Sequence, residues 1–179
     1  MKEGVPVFDP TIYENVKVVL EGAVYDLDLA GEILVTRRAD LIDLSSMSRT
    51  YAIEFTKKTY RPSKAEINLH VHLSDLAAEI LENPAASPGC TLEVMLFTKV
   101  NQPELECPVI EKQLRMIWNH RPQITQQLSF TFDAKSPSCY NNQITLSFGR
   151  KIDESHIDDF PKLIDCAVDS LTWLDERGG

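Results

Sequence analysis

Two stretches near the C-terminus constrain this chain more than any other feature. In residues 124–133, Ile124, Leu128, Phe130 and Phe132 fall on one parity, and Thr125, Gln127, Ser129, Thr131 and Asp133 on the other. In residues 143–150, Ile144, Leu146 and Phe148 alternate with Gln143, Thr145 and Ser147. Successive side chains of a strand point to opposite faces, so each stretch reads as a strand with one apolar and one polar face. The segment between them holds Ser136, Pro137, Ser138, Asn141 and Asn142, which is turn chemistry, so the pair reads as an antiparallel hairpin. A sheet with one apolar face must be covered on that face, which calls for amphipathic helices elsewhere in the chain.

The same alternation recurs upstream. Ile67, Leu69, Val71 and Leu73 alternate with Asn68, His70 and His72, and Tyr51, Ile53 and Phe55 with Ala52, Glu54 and Thr56. Residues 92–100 are apolar on both parities, as a central strand requires. Residues 16–24 and 33–38 read as further strands, with 39–44 continuing the second or forming its own. Helices are fewer. Ser74 is placed to cap a helix over 75–82, and Pro108 to open one over 109–118, where Ile110, Leu114, Ile117 and Trp118 share a face. The clearest stripe is Phe160, Ile164, Ala167, Val168, Leu171 and Leu174. Pro161 fits only the first turn of that helix, which therefore begins near Asp158 or Asp159, with 153–157 a separate turn.

The expected fold is α+β: two layers, with a mainly antiparallel sheet of about six to eight strands and about three helices packed on one face. Residues 1–179 are expected to form a single domain, the loop 84–89 being the only candidate for a weaker boundary inside it.

Charge and cysteine narrow the function classes. Eighteen basic against 27 acidic residues give a net charge of −9, which repels phosphate backbones and argues against nucleic-acid binding. No apolar run approaches the ~18 residues of a membrane span, and the first residues lack the apolar core of a secretory signal. Cys90, Cys107, Cys139 and Cys166 form no C-x-x-C pair. They read as reduced thiols of a cytoplasmic protein.

Three groups of residues stand out for chemistry. His70 and His72 form an H-x-H on a strand, which points both imidazoles to one face, with Glu54 on the neighbouring strand as a third candidate ligand. The string from Ile67 to Asp75 resembles the first metal-binding strand of the amidohydrolases, which would imply a metal-dependent hydrolase. Asn68 stands where that family places a carboxylate. On their own pattern the two histidines read as solvated residues of an amphipathic strand, without metal. The second group is Arg37 with Arg38, and the third is Lys57, Lys58, Arg61 and Lys64, the one basic cluster in an acidic chain; both are candidate anion sites. Neither a Walker A loop, a G-x-G-x-x-G nor a G-x-S-x-G elbow is present, so no cofactor is expected and no catalytic set is complete.

The reading these features favour is a non-catalytic cytoplasmic domain that works by protein–protein contact, such as an adaptor, a chaperone-like or an immunity-type protein. Its partner is unspecified and a homodimer stays open. The alternatives are a small metal-dependent hydrolase using His70 and His72, and a small-anion sensor.

Overall fold

The computed structural model describes residues 11–59, 62–82, 85–132 and 139–177. In chain order these form α1 (Thr11–Ala30), β1 (Ile33–Asp43), β2 (Ser48–Lys57), β3 (Lys64–Val71), α2 (Leu73–Ile80), β4 (Cys90–Val100), α3 (Pro103–Ile117), β5 (Gln123–Ser129), β6 (Tyr140–Ile152), a 3-10 turn (Glu154–Asp159) and α4 (Phe160–Arg177). The strands make one six-stranded sheet in the order β1-β2-β3-β4-β6-β5, and every neighbouring pair is antiparallel. The fold is therefore α+β with an antiparallel sheet, as the alternation predicts, with four helices instead of about three. The sheet runs through the pair β3–β4, on either side of the 84–89 loop.

Register shows how alternation becomes two faces. Tyr51, Ile53, Phe55, Ile67, Leu69, Leu92, Val94, Leu96, Ile144 and Leu146 are all buried on the helix side. Across that side α1 lies against β1, α4 against β2, β3 and β4, and α3 against β4 and β5. The other face carries rows such as Arg37, Glu54, Glu66, Met95, Thr145 and Thr125, which oppose one another strand by strand. Among the described residues no helix is long and apolar enough to cross a membrane.

Three expectations are corrected. Residues 16–24, expected as a strand, are the middle of α1. Its buried residues Tyr13, Val16, Lys17, Leu20 and Val24 follow a helical period, while Val18 and Val19 face outward. Burial of that stripe outweighs the modest helix cost of the valines. The helix expected over 75–82 with Ser74 as its cap starts two residues earlier, at Leu73, capped by His72, whose side chain makes no capping bond. The helix expected from Pro108 begins at Pro103, which takes the first-turn position, and Pro108 lies inside it. Glu106 accepts from the backbone N–H groups of Asn101 (2.7 Å) and Gln102 (2.6 Å), tying down the chain ahead of that helix. The last helix behaves as read: a 3-10 turn, then α4 with Pro161 as its second residue.

At Gly89 the chain enters β4 against β6, and a Cβ there would meet the Ile152 carbonyl oxygen at 2.7 Å and the Lys151 Cβ at 3.2 Å. The Gly89 N–H donates to the buried carboxylate of Asp75 (3.2 Å), which also accepts from Lys151 Nζ (2.6 Å). Gly89→Ala is expected to cost about 1–3 kcal/mol through forced separation of two backbones. That would lower the melting temperature by roughly 3–10 °C for a domain of this size. A melt superimposable on the parent's would refute the contact.

Candidate functional site

The residues singled out by sequence do not converge. His70 lies on β3 and His72 just beyond it, with ring centroids 4.3 Å apart and edge to face. His70 Nδ1 lies 2.7 Å from the Thr50 hydroxyl, and its Nε2 is 3.4 Å from His72 Nδ1. His72 is exposed, but His70 is only partly so. Burial, and then the neighbouring His72, push the His70 pKa down against the pull of Glu93. Thr50, not Glu54, sits opposite His70; Glu54 is four residues further along β2, about 13 Å away. Its carboxylate accepts instead from Thr36 (2.6 Å) and Lys64 (3.2 Å). Among the described residues no group of three or more His, Cys, Asp or Glu is arranged to hold a metal ion.

The basic candidates are dispersed. Arg37 and Arg38 follow a bulge in β1 and point to opposite faces of the sheet. Arg37 reaches Glu66 (2.6 Å) on the uncovered face, and Arg38 pairs with Glu21 of α1. Lys57 donates to Thr172 of α4 (2.7 Å), Lys64 pairs with Glu54 (3.2 Å), and Lys58 lies at the end of β2 beside Gly31. Arg61 lies outside the described residues. Arg37, Arg38 and Lys64 thus already hold carboxylates, and the group forms no single site.

A different place gathers cations around an apolar hollow. β4 and β6 pair regularly until Glu93↔Ser147, and then resume at Thr91↔Lys151, so Phe148, Gly149 and Arg150 stand opposite Leu92 alone. Gly149 has φ +65°, a left-handed conformation that a side chain would disfavour. Such bulges bend a strand and re-aim its side chains. Here Phe148, Arg150 and Ile152 line a cleft of about 530 Å³.

The second wall is the end of α3. Trp118 is buried, packs on Phe148 with ring centroids 5.8 Å apart, and donates its indole N–H to the Ser170 hydroxyl (2.9 Å). Asn119 and His120 are both left-handed (φ 50° and 56°), which turns the chain back and sets Arg121 at the rim. The third wall is the 3-10 turn and the start of α4, with Phe160, Lys162, Leu163 and Cys166. Asp153 caps that turn by accepting from the Ser155 N–H (2.9 Å), and its carboxylate contacts His156 Nδ1 at 3.0 Å. Hydrogen bonds from Ser155 hold the Asp153 pKa below its ordinary value.

The floor of the cleft is thus apolar and aromatic, and the rim carries Arg121, Arg150 and Lys162 against a single carboxylate, Asp159. Arg150 and Asp159 approach only to 3.8 Å and both are well exposed, a pair worth little in water. Counted over its lining residues alone the rim is cationic in a chain of net charge −9, with Asp165 and Asp169 acting on Cys166 from just beyond it. The thiol in the cleft, Cys166, donates to the Ile117 carbonyl (3.7 Å), and burial pushes its pKa up, so it is held as a neutral thiol. All four cysteines are free.

Sequence reading missed this site because its cations are 12 and 29 positions apart and each looks like an ordinary surface residue. The one available signal was Gly149, an isolated glycine in a strand pattern, which marks a bulge. No protein-family model, curated protein or solved structure matches the chain, so the site rests on its own chemistry.

Proposed function

We propose that this chain is a non-catalytic cytoplasmic domain that works by protein–protein contact, and that the bulge cleft receives an apolar, acidic segment of the partner. The cleft itself carries the reading: an aromatic floor of Trp118, Phe148 and Phe160 under a rim of Arg121, Arg150 and Lys162. Buried aromatic anchors with cationic neighbours suit a segment that places a Phe or Leu side chain beside a carboxylate. The hollow is a cleft, neither enclosed nor flat. A small-molecule site usually encloses most of its ligand, whereas an open cleft suits one or two anchoring side chains of a longer segment. The neutral Cys166 and the His156 imidazole engaged by Asp153 favour binding over nucleophilic chemistry.

Selection of a randomised peptide library on the purified chain tests this. Enrichment of peptides that combine an aromatic or branched apolar residue with Asp or Glu is expected. The double variant Arg121→Glu/Arg150→Glu should weaken the selected peptides at least tenfold, about 1.4 kcal/mol. Added salt should weaken binding to the parent chain more than binding to the variant. Enrichment of basic peptides, or unchanged affinity in the variant, would sink the reading. Competition by a free aromatic carboxylate with no peptide preference would move the proposal to a small-anion sensor.

A further inference from the structure

The two edges of the sheet are built differently. β1, at one edge, carries a bulge at Val35/Arg37 and the charged residues Arg37, Arg38, Asp40 and Asp43. Bulges and charges are the usual means of keeping an edge from pairing with another chain. β5, at the other edge, is Gln123–Ser129, with no charge, no proline, and an unbroken register to β6. Among the described residues no backbone pairs with its outer side.

We propose that two copies of this chain pair edge to edge through β5, antiparallel about a two-fold axis at Gln126, and so join two six-stranded sheets into one. This stands apart from the cleft, which lies at the β4–β6 bulge.

The strand is self-complementary in that register. Residues of equal parity meet across the axis, so each face of one sheet continues into the same face of the other. On the helix side Ile124, almost fully buried, faces the second copy's Leu128, which is 39% exposed in the single chain. On the other face Thr125 meets Gln127 and Gln123 meets Ser129, all uncharged and exposed. Cross-strand pairs of this kind, apolar with apolar and hydroxyl with amide, favour pairing. Gln126, at the axis, is already fixed: its Nε2 donates to the Cys107 carbonyl (2.9 Å) and its Oε1 accepts from Asn142 (2.8 Å).

Exposed apolar surface continues beyond the strand. Phe130 and Phe132 are 49% and 79% exposed, and the same register carries Phe130 past the second copy's Pro122. A shallow groove of about 320 Å³ between α3 and this edge, lined by Pro103, Cys107, Pro108 and Leu128, lies on the same side. Leu128, Phe130 and Phe132 of each copy, together with a paired strand, suit an interface at the small end of the range, where weak dimers bury less than about 1,200 Å² in all.

Light scattering coupled to size exclusion should give a mass near twice the chain's 20.2 kDa. Thr125→Lys/Gln127→Lys puts like charges in register around the axis and should yield a monomer with the parent's circular dichroism and a cooperative melt at lower temperature that no longer depends on protein concentration. Mixing that variant with Thr125→Glu/Gln127→Glu should restore a dimer containing one copy of each. A monomeric parent at its highest soluble concentration overturns the proposal. A lysine variant that remains dimeric, or a mixture of the two variants that stays monomeric, overturns the β5 edge as the interface.

Discussion

Ending the chain after Asp159, and so removing α4, is expected to abolish cooperative folding. α4 buries Phe160, Ile164, Ala167, Leu171 and Leu174, each at most 2% exposed, across the centre of the sheet. Burying the four large side chains contributes on the order of 1.5–3 kcal/mol each, roughly 6–12 kcal/mol together. The net stability of a domain is about 5–15 kcal/mol, so little or nothing is left without them. The helix also supplies polar anchors. Ser170 accepts from the buried Trp118 indole, Thr172 accepts from Lys57, and Asp175 accepts from the buried Ser63 N–H at 3.2 Å. Thermal and denaturant melts of the truncated chain should show no cooperative transition. Leu171→Ala in the whole chain should keep a single transition and lose about 2–5 kcal/mol, because it empties a site with no exposure at all. A cooperative melt from the truncated chain would show that α4 is dispensable.

The same residues explain which parts of the fold sequence reading could reach. β2, β3 and β6 alternate cleanly because one face of each is pressed on helices and the other is not, so period and burial agree, whereas β4, apolar on both parities, alternates only in its burial. α4 was legible for the same reason, and because Pro161 can occupy only a first turn. α1 was not. Val16, Val18 and Val19 look like strand material, and the helical stripe becomes visible only when Tyr13 and the aliphatic stem of Lys17 are counted with Val16, Leu20 and Val24. Lys17 counts as core because two carboxylates hold its charge: Glu14 at 2.6 Å and Asp40 at 3.0 Å. The Glu14 pair is local to the helix, but the tertiary pair with Asp40 leaves no local trace. The cleft was illegible on the same grounds. Its cations come from the end of α3, the bulge of β6 and the start of α4, and only the β4–β6 register brings them together. His70 and His72, by contrast, announce themselves in sequence and turn out to touch a threonine and each other.

Replacing Asp40 should produce the second large effect, because one carboxylate ties α1 to two strands. Asp40, on β1, accepts both Nε and one terminal nitrogen of Arg49 on β2 (2.9 Å each), Lys17 of α1 (3.0 Å), and the Tyr13 hydroxyl (3.4 Å). Arg49 also pairs with Glu14 and lies over the Tyr13 ring, 5.0 Å from its centroid. Burial works against the ionised form of Asp40, but the hydrogen bonds from Arg49 and Lys17 outweigh it, and the pKa falls below the ordinary value. A carboxylate whose folded pKa is depressed stabilises the fold fully above its unfolded pKa, and that stability is lost as pH falls through the folded value. The parent should therefore lose stability on acidification from about pH 5 downward, with Asp40 supplying part of the slope. Asp40→Ala leaves Lys17 and Arg49 without the carboxylate that bridges them. Breaking a buried pair costs about 3–5 kcal/mol, and partial exposure of this one lowers the expected loss to roughly 2–4 kcal/mol at pH 7. Asp40→Asn keeps the shape but not the charge, and should flatten the acid limb of the stability profile as well as lower its plateau. Denaturant melts from pH 2 to 7 distinguish the outcomes: profiles of parent and Asp40→Asn that differ by a constant offset at every pH would show that Asp40 is not ionised in the fold, and the network would lose its centre.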